Sequence, residues 1–569
     1  MIKAWSQTDS SNAGLLAHGQ QRLEGMRAYR VSWWVHWAQL AEMFLPRRYR
    51  WFVTPNQANR GSPLNASIVD ETGMLAARTC ATGLLSGLTS PTKPWFKLGL
   101  HGIKSIPEGD VKDWLAECTL RMQAVYANSN LYQSLGTAYH DLVVFGSAAM
   151  IQYEDKEDVV RFYNPALGEF FFGLSNRNDV DTLYREYTYT VSQAVKEFGL
   201  EKLSIGSQRL AKTPGGLDTE IIICHAIEPN TTIYRSGIET QVPLAKIFAY
   251  REYYWEQGSS PEYKALLRVI GFREKPHVGL RWDVTSNDAY GRSPGMDALP
   301  AVRQLQIEQR RKAEAIDKMV RPPMVASISM KNEPTDILPG GVTYVTDLNS
   351  GFKPAFQVEP RIAELTEDIK EVQSRVNSIF FADLFLMISQ LDTVRTATEI
   401  DARREEKLIQ LGPVIERTEN EGLDEIIERT FSILSRRGFL PPAPDSIKGI
   451  TISIEYISML AEAQRAASTS IIERLVQFVG SIVGVQPDVL DNIDTDMTVE
   501  TYADRLGVPP DLIRPLKEIL QLRAQRAQAQ QAQASLATGQ AAAAGAQTLS
   551  KTDVGGGQNA LQAMLGKAA

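Results

Sequence analysis

Residues 360–400 read PRIAELTEDIKEVQSRVNSIFFADLFLMISQLDTVRTATEI. In the first half, Ile362, Leu365, Ile369, Val372, Val376 and Ile379 recur at spacings of three, four, three, four and three. That spacing predicts a helix with one narrow apolar seam, which packs along a stripe against other helices rather than into a broad globular face. The second half, from Phe380, is a burst of Phe, Leu and Met set between this charged helix and another one. A short apolar joint between two solvated helices either closes a helical hairpin or projects toward something the hairpin surrounds.

The flanking sequence continues the helical pattern. Upstream, residues 296–320 (MDALPAVRQLQIEQRRKAEAIDKMV) form a long charged helix with sparse apolar positions at Leu299, Val302, Leu305, Ala313, Ile316 and Val320, stopped by RPPM. A compact insert with strand and turn character separates the two helices at 321–358. Downstream, Thr396 and Glu399 form a capping-box pattern for a helix reaching about Arg437. Gly412–Pro413 should bend that helix, because proline removes a ladder donor, and Gly438, Pro441 and Pro442 end it.

The chain before residue 295 divides in two. Trp33, Trp37, Leu40, Ala41 and Phe44 share one helical face before Pro46, followed by the basic-aromatic stretch PRRYRW, read as a loop that contacts phosphate or pairs with acidic neighbours. A helix rich in small residues spans 66–90, and another helix spans roughly 110–150. From about 150 to 290, short β-branched and aromatic runs such as AAMIQYE, EFFFGL, EIIICHAIEP and KIFAYREYYW predict a mainly antiparallel sheet. Residues 458–534 are helical in pattern, and 535–569 are Ala, Gln and Gly rich, flexible or helical only when held by neighbours. The fold class is therefore α+β and predominantly helical.

Composition narrows the function. With 569 residues and a formal net charge of −7, the chain lacks the basic excess of proteins that coat nucleic acid. Three scattered cysteines, Cys80, Cys118 and Cys224, form neither a disulfide framework nor a zinc spacing, which points to a reducing compartment. The opening residues MIKAWSQTDSSNAG show no apolar signal core, and the most apolar window, LVQFVGSIVGV, is too short to span a bilayer. No phosphate-binding loop, H-E-x-x-H, C-x-x-C or G-x-S-x-G is present. SPTK (Ser90 to Lys93) matches S-x-x-K without that motif's partners, and Cys224–His225 sits in an apolar strand. No catalytic residues, metal site or cofactor follow from the sequence.

The order of parts, with four segments in it, resembles a bacteriophage portal protein of the head-to-tail connector family of short-tailed phages. The segments are WVHWAQLAEMFLPRR (34–48), IVDETGMLAARTCATGLLSGLTSPTKPWFKL (68–98), YGRSPGMDALPAVRQLQ (290–306) and TATEIDARREEKLIQLGPVIER (396–417). The resemblance implies a ring of about twelve subunits at one capsid vertex, with double-stranded DNA in its channel. Within such a ring, 1–295 would form the wing, 296–320 and 359–382 the stem helices, and 321–358 the clip. Residues 383–394 would be the tunnel loop, 395–457 a second part of the wing, 458–534 the crown and 535–569 a tail. Leu386, Met387 and Ile388 would pack the loop, Gln390 and Asp392 would approach DNA, and Lys312, Lys318 and Arg375 would be DNA-side stem cations. The implied partners are the large terminase subunit, a tail or adaptor protein, and scaffolding and major capsid proteins, in the virion and in host cytoplasm during assembly. Two other readings are compatible with the residues: a metal-dependent DNA-processing enzyme, and an assembly scaffold or tail component that never touches DNA.

Overall fold

The computed structural model describes residues 9–53, 61, 65–101, 110–230, 234–235, 238–239, 248–259, 266–326, 328, 331, 353–354, 362–389, 409–447, 451–460, 475–481, 495–505 and 516–551. The described residues are mainly helical with several sheets, an α+β arrangement. They fall into two units, Met1–Gln464 and Arg465–Ala569.

In the first unit, helix α1 (Asp9–Phe44) runs into the short α2 (Pro46–Val53), then α3 (Thr72–Leu88), strand β1 (Phe96–Leu100), α4 (Asp110–Asn128) and α5 (Leu131–Phe145). The basic-aromatic stretch is helical instead of the expected loop, and Arg48 pairs with the buried Asp141 at 3.2 Å. The single helix expected over 110–150 is two, because Asn130 leaves the helical path to bond another element. Its amide donates to the carbonyl of Phe162 at 2.7 Å and accepts from the Phe162 N–H at 2.8 Å. Helix α5 ends at Gly146, in the left-handed region at φ +79°, where a Cβ would collide with the carbonyl of Gly291.

The middle of the chain carries the sheets, close to where the alternating aromatic runs placed them. Strands β2 (Ser147–Glu154), β3 (Val160–Tyr163), β4 (Phe170–Leu174) and β5 (Val180–Thr190) precede α6 (Val191–Phe198), capped by a Thr190–Gln193 box, and α7 (Ile205–Lys212). After β6 (Glu220–Pro229), the hairpin β7 (Tyr234–Arg235) and β8 (Ile238–Glu239), β9 (Tyr250–Glu256), β10 (Arg268–Phe272) and β11 (His277–Arg281) follow. A five-stranded antiparallel sheet has the order β10-β9-β6-β5-β4, and a three-stranded one the order β11-β2-β3. Helix α1 serves both cores: Leu16 and Leu23 pack with Tyr184, Tyr253 and Trp255, while Trp37, Leu40 and Phe44 enter the main cluster.

The rest is helical. Helix α8 (Pro294–Val320) precedes a two-residue pairing of β12 (Met324–Val325) with β13 (Lys353–Pro354); the other insert residues lie largely outside those described. Helices α9 (Ile362–Ile379) and α10 (Ala382–Ser389) follow. Helix α11, residues 409–418, passes through Pro413 and continues by a π-turn at Glu419–Leu423 into α12 (Asp424–Arg437). The π-turn sits where β11 presses on the helix: Gly422 lies against Leu280, and Arg281 bonds Glu421 at 2.7 and 3.1 Å. Strand β14 (Ile452–Tyr456) then pairs antiparallel with β1, Phe96 opposite Tyr456. The capping pair Thr396–Glu399 is outside the described residues.

In the second unit, residues 475–481 (α13), Thr495–Arg505 (α14) and Leu516–Lys551 (α15) are helices. Helix α15 does not stop near 534 but runs to Lys551 with its described side chains there almost all exposed, so it is helical without the neighbours that the sequence reading required. High-propensity Ala, Gln and Arg explain this without a buried face. Arg523 grips Asp496 through two bonds of 2.6 Å.

A polar line crosses the five-stranded sheet where the sequence suggested only apolar strand. Arg185 donates to His225 Nδ1 at 2.7 Å, and His225 Nε2 meets the wholly buried Glu252 at 2.7 Å. Burial, reinforced by Arg185, pushes the His225 pKa down to about 4, and burial drives His277 well below its ordinary value. Burial opposes ionisation of Glu252, but its bonds from His225 and Tyr254 outweigh that and lower its pKa. Below pH 6.5 the unfolded chain therefore takes up protons that the folded histidines refuse, so stability falls as pH drops from 6.5 toward about 4. His225 alone accounts for roughly 3 kcal/mol of that loss. Thermal melts across this range should show a falling midpoint, less steep in His277→Leu; a flat profile would contradict the buried-histidine account.

Candidate functional site

The hairpin of α8 and α9 and the joint after it hold most of the residues singled out by sequence. Helix α8 is started by Ser293, whose hydroxyl accepts from the Met296 N–H at 3.2 Å and donates to the Val144 carbonyl at 2.7 Å, with Pro294 in the first turn. Its first half is buried through Leu299, Val302 and Leu305. Its second half is not: Ala313 is exposed, and Ile307, Ile316, Met319 and Val320 are 51, 42, 53 and 73% exposed. Helix α9 shows the same gradient, since Ile369, Val372 and Val376 are buried while Ile362 and Leu365, toward the insert, are only half-buried, as is Ile379. Both helices thus leave apolar surface uncovered at the end remote from the core.

At the joint the structure corrects the expected loop. Residues 382–389 form α10, so the segment assigned as a loop from 383 begins helical. The reason lies in what the aromatics touch. Phe380 is wholly buried and meets Phe44 edge-on at 5.5 Å, and Leu384 is wholly buried. Phe385 seats over Gly83 of α3. The phenylalanines close the hairpin onto α3. Phe381 makes the turn between α9 and α10 with φ +54°, a left-handed conformation unusual for a side chain this bulky. Leu386 faces outward at 48% exposure, whereas Gln390, Asp392 and the side chains of Met387 and Ile388 lie outside the described residues.

Helix α3 is shaped to receive this packing. Gly73 lies under Val302 and Phe44, Gly83 under Phe385 and Gly87 under Leu460, and a Cβ at any of the three would crowd its neighbour. Small residues at these positions let side chains from four segments approach the α3 backbone closely. The sequence signal was the glycine-rich run itself; which segments filled its notches was not visible there.

The suggested cations are spread along the hairpin. Lys318 is exposed, Lys312 half-buried, and Arg375 is exposed and donates to Gln304 at 3.1 Å. Arg303, Arg310 and Arg311, not singled out from the sequence although part of the same charged run, are also exposed on α8. Ser90 pairs with Thr92 at 3.0 Å. Cys80, Cys118 and Cys224 are buried free thiols, and burial pushes Cys118 up to about 11. Among the described residues no group of three or more His, Cys, Asp or Glu is placed to hold a metal ion, and no helix is long and apolar enough to cross a membrane.

The family model described as bacteriophage head to tail connecting protein matches residues 17–513. The chain belongs to that family. It is 39% identical over 536 residues to the portal protein of Salmonella phage epsilon15, covering 94% of this chain and 95% of that one. It is 40% identical over 509 residues to the probable portal protein of Bordetella phage BPP-1, covering 88 and 89%. The chain is thus a phage portal, the connector between head and tail.

In this connector, the seat of Phe385 on Gly83 should be sensitive to a single methyl group. Gly83→Ala should unseat the ring and destabilise the first unit by about 1–3 kcal/mol. Adding Phe385→Leu should recover part of the loss, as read from urea unfolding midpoints. Because alanine is itself favoured over glycine in a helix by about 0.5–1 kcal/mol, a Gly83→Ala midpoint above that of wild type would show that the added methyl group meets no resistance.

Proposed function

We propose that this portal protein works as a ring of about twelve copies whose α8–α9 hairpins line a channel for double-stranded DNA during packaging and ejection. The observation that carries the proposal is the apolar surface left on the distal hairpin: Ile316, Met319 and Val320 on α8 and the half-buried Ile362 and Leu365 on α9. A monomer gains nothing by leaving such side chains in water, whereas a neighbouring copy of the same hairpin can bury them. In a head-to-tail ring each subunit offers one face to the copy on either side, and closure removes every free interface.

On this reading α8 and α9 are the stem, 321–358 the clip that meets the large terminase subunit and later a tail or adaptor protein, and 458–534 the crown inside the head. Residues 383–394 stand at the constriction, with α10 as the root of the tunnel loop and Leu386, Met387, Ile388, Gln390 and Asp392 nearest the axis. Lys312, Lys318 and Arg375 supply thinly spread positive charge. That suits a conduit, since every tight phosphate contact would add salt-dependent drag to a moving duplex. The protein itself catalyses nothing. It stands at one capsid vertex, beside scaffolding and major capsid proteins, after assembly in host cytoplasm.

Negative-stain microscopy of the purified full chain tests this. Closed rings with a central hole wide enough for a duplex of about 20 Å should appear. Ile316→Glu should shift them toward monomers with unchanged circular dichroism. Wild-type monomers or open filaments would defeat the proposal.

A further inference from the structure

The signature segment at 68–98 contributes one residue whose bonding reaches outside its own element. Asp70 precedes α3 and is 7% exposed. One carboxylate oxygen, Oδ1, accepts the N–H of Thr72 at 2.9 Å and so organises the first turn of α3. The other, Oδ2, accepts from Gln309 of α8 at 3.0 Å and from Gln373 of α9 at 2.9 Å. Gln306, one turn before Gln309, completes the attachment: its side-chain oxygen accepts the N–H groups of Val69 and Asp70 at 2.7 and 2.9 Å, and its amide donates to the Asp70 carbonyl at 2.9 Å. Among the described residues no arginine or lysine forms an ion pair with Asp70. Burial opposes its ionisation, but the bonds from Thr72, Gln373 and Gln309 prevail and hold its pKa below the ordinary value.

We propose that Asp70, with Gln306, Gln309 and Gln373, is a clamp that fixes the angle of the stem hairpin on α3 and thereby sets how many subunits close the ring. The inference rests on the ring reading above. Its physical basis is the difference between two kinds of contact. The seam of Ile369, Val372 and Val376 is apolar, and apolar packing tolerates small slides and rotations. Hydrogen bonds to one shared carboxylate do not, because each weakens steeply as its angle or length departs from the optimum. Here both stem helices donate to the same oxygen, so neither can rotate on α3 without losing a bond to a buried charge.

The tolerance required of such a device is narrow. Twelve copies close when neighbours are rotated by about 30°, and one copy more or fewer changes that angle by only roughly 2–3°. The distal hairpin supplies apolar adhesion at any of these angles. The clamp grips α8 near its midpoint and α9 toward its Ile379 end, so a small error in direction there would be carried along the part of the hairpin that extends beyond it.

Native mass spectrometry of rings assembled from the full chain counts subunits directly. Asp70→Ser keeps a hydroxyl able to accept from Thr72 but too short to reach either glutamine, and Gln309→Met with Gln373→Met preserves side-chain length while removing both donors. Wild type should give one subunit number, and each variant a distribution over two or more. A single unchanged number in a variant that still assembles would overturn the clamp and leave the ring standing. Failure of both variants to fold would also overturn it, making the cluster a stability element and not a selector. If wild type forms no ring, the ring reading falls first and the clamp with it.

Discussion

The architecture depends on how closely other segments approach the backbone of α3. A helix with side chains on every face keeps its neighbours 8–10 Å away, axis to axis. Glycine at 73, 83 and 87 removes that spacing on one side, and Val302 of α8, Phe385 of α10 and Leu460 fill the gaps. These partners lie more than two hundred residues beyond α3 in the chain, yet one 17-residue helix gathers all three. Contacts at this distance are sensitive to volume, because a packed interior has no slack to absorb an added methyl group. The α8–α9 hairpin is anchored through this helix, so its direction is set inside the core.

What could be read from the sequence follows the physics of each pattern. The seam of α9 was legible because a spacing of three and four has one helical meaning, and the strands between 147 and 281 because alternating aromatics and β-branched residues fit a pleated surface. The division of 110–145 into α4 and α5 was hidden, since it depends on Asn130 reaching Phe162, a tertiary contact with no local trace. Helix α10 was misread as loop for a related reason. Phe380, Leu384 and Phe385 become helical by covering α3, and a short apolar run does not reveal what it will cover. The polar line from Arg185 through His225 to Glu252 was invisible because its members come from three strands that only the register brings together. The clamp shared this fate: Asp70 stood in a recognised segment, but its glutamines are spread over two other helices.

Charge is placed with similar economy. Buried ionic groups are answered by named partners, as where Arg281 meets Glu421 or Arg251 meets Glu228, and these contacts bind one element to the next. The cations of α8 include the consecutive Arg310, Arg311 and Lys312, but Glu308, Glu314 and Asp317 stand within two turns of them, so positive charge is broken by negative along that helix. A connector that held phosphates tightly would oppose the transit it is proposed to allow.

The pairing of β1 with β14 has a consequence for how the chain is made. Strand β1 leaves the ribosome early, yet its partner at Ile452–Tyr456 is translated only after α8, α9, α10 and α12. Until then β1 presents an unpaired edge, the kind of surface on which chains aggregate. Any polypeptide cut short before Ile452 keeps that edge permanently, and with it loses the Tyr456 hydroxyl that donates to Asp424 at 2.6 Å. Completion of synthesis is thereby written into the body of the subunit: an unfinished chain differs from a finished one at a strand that every proper copy has already hidden.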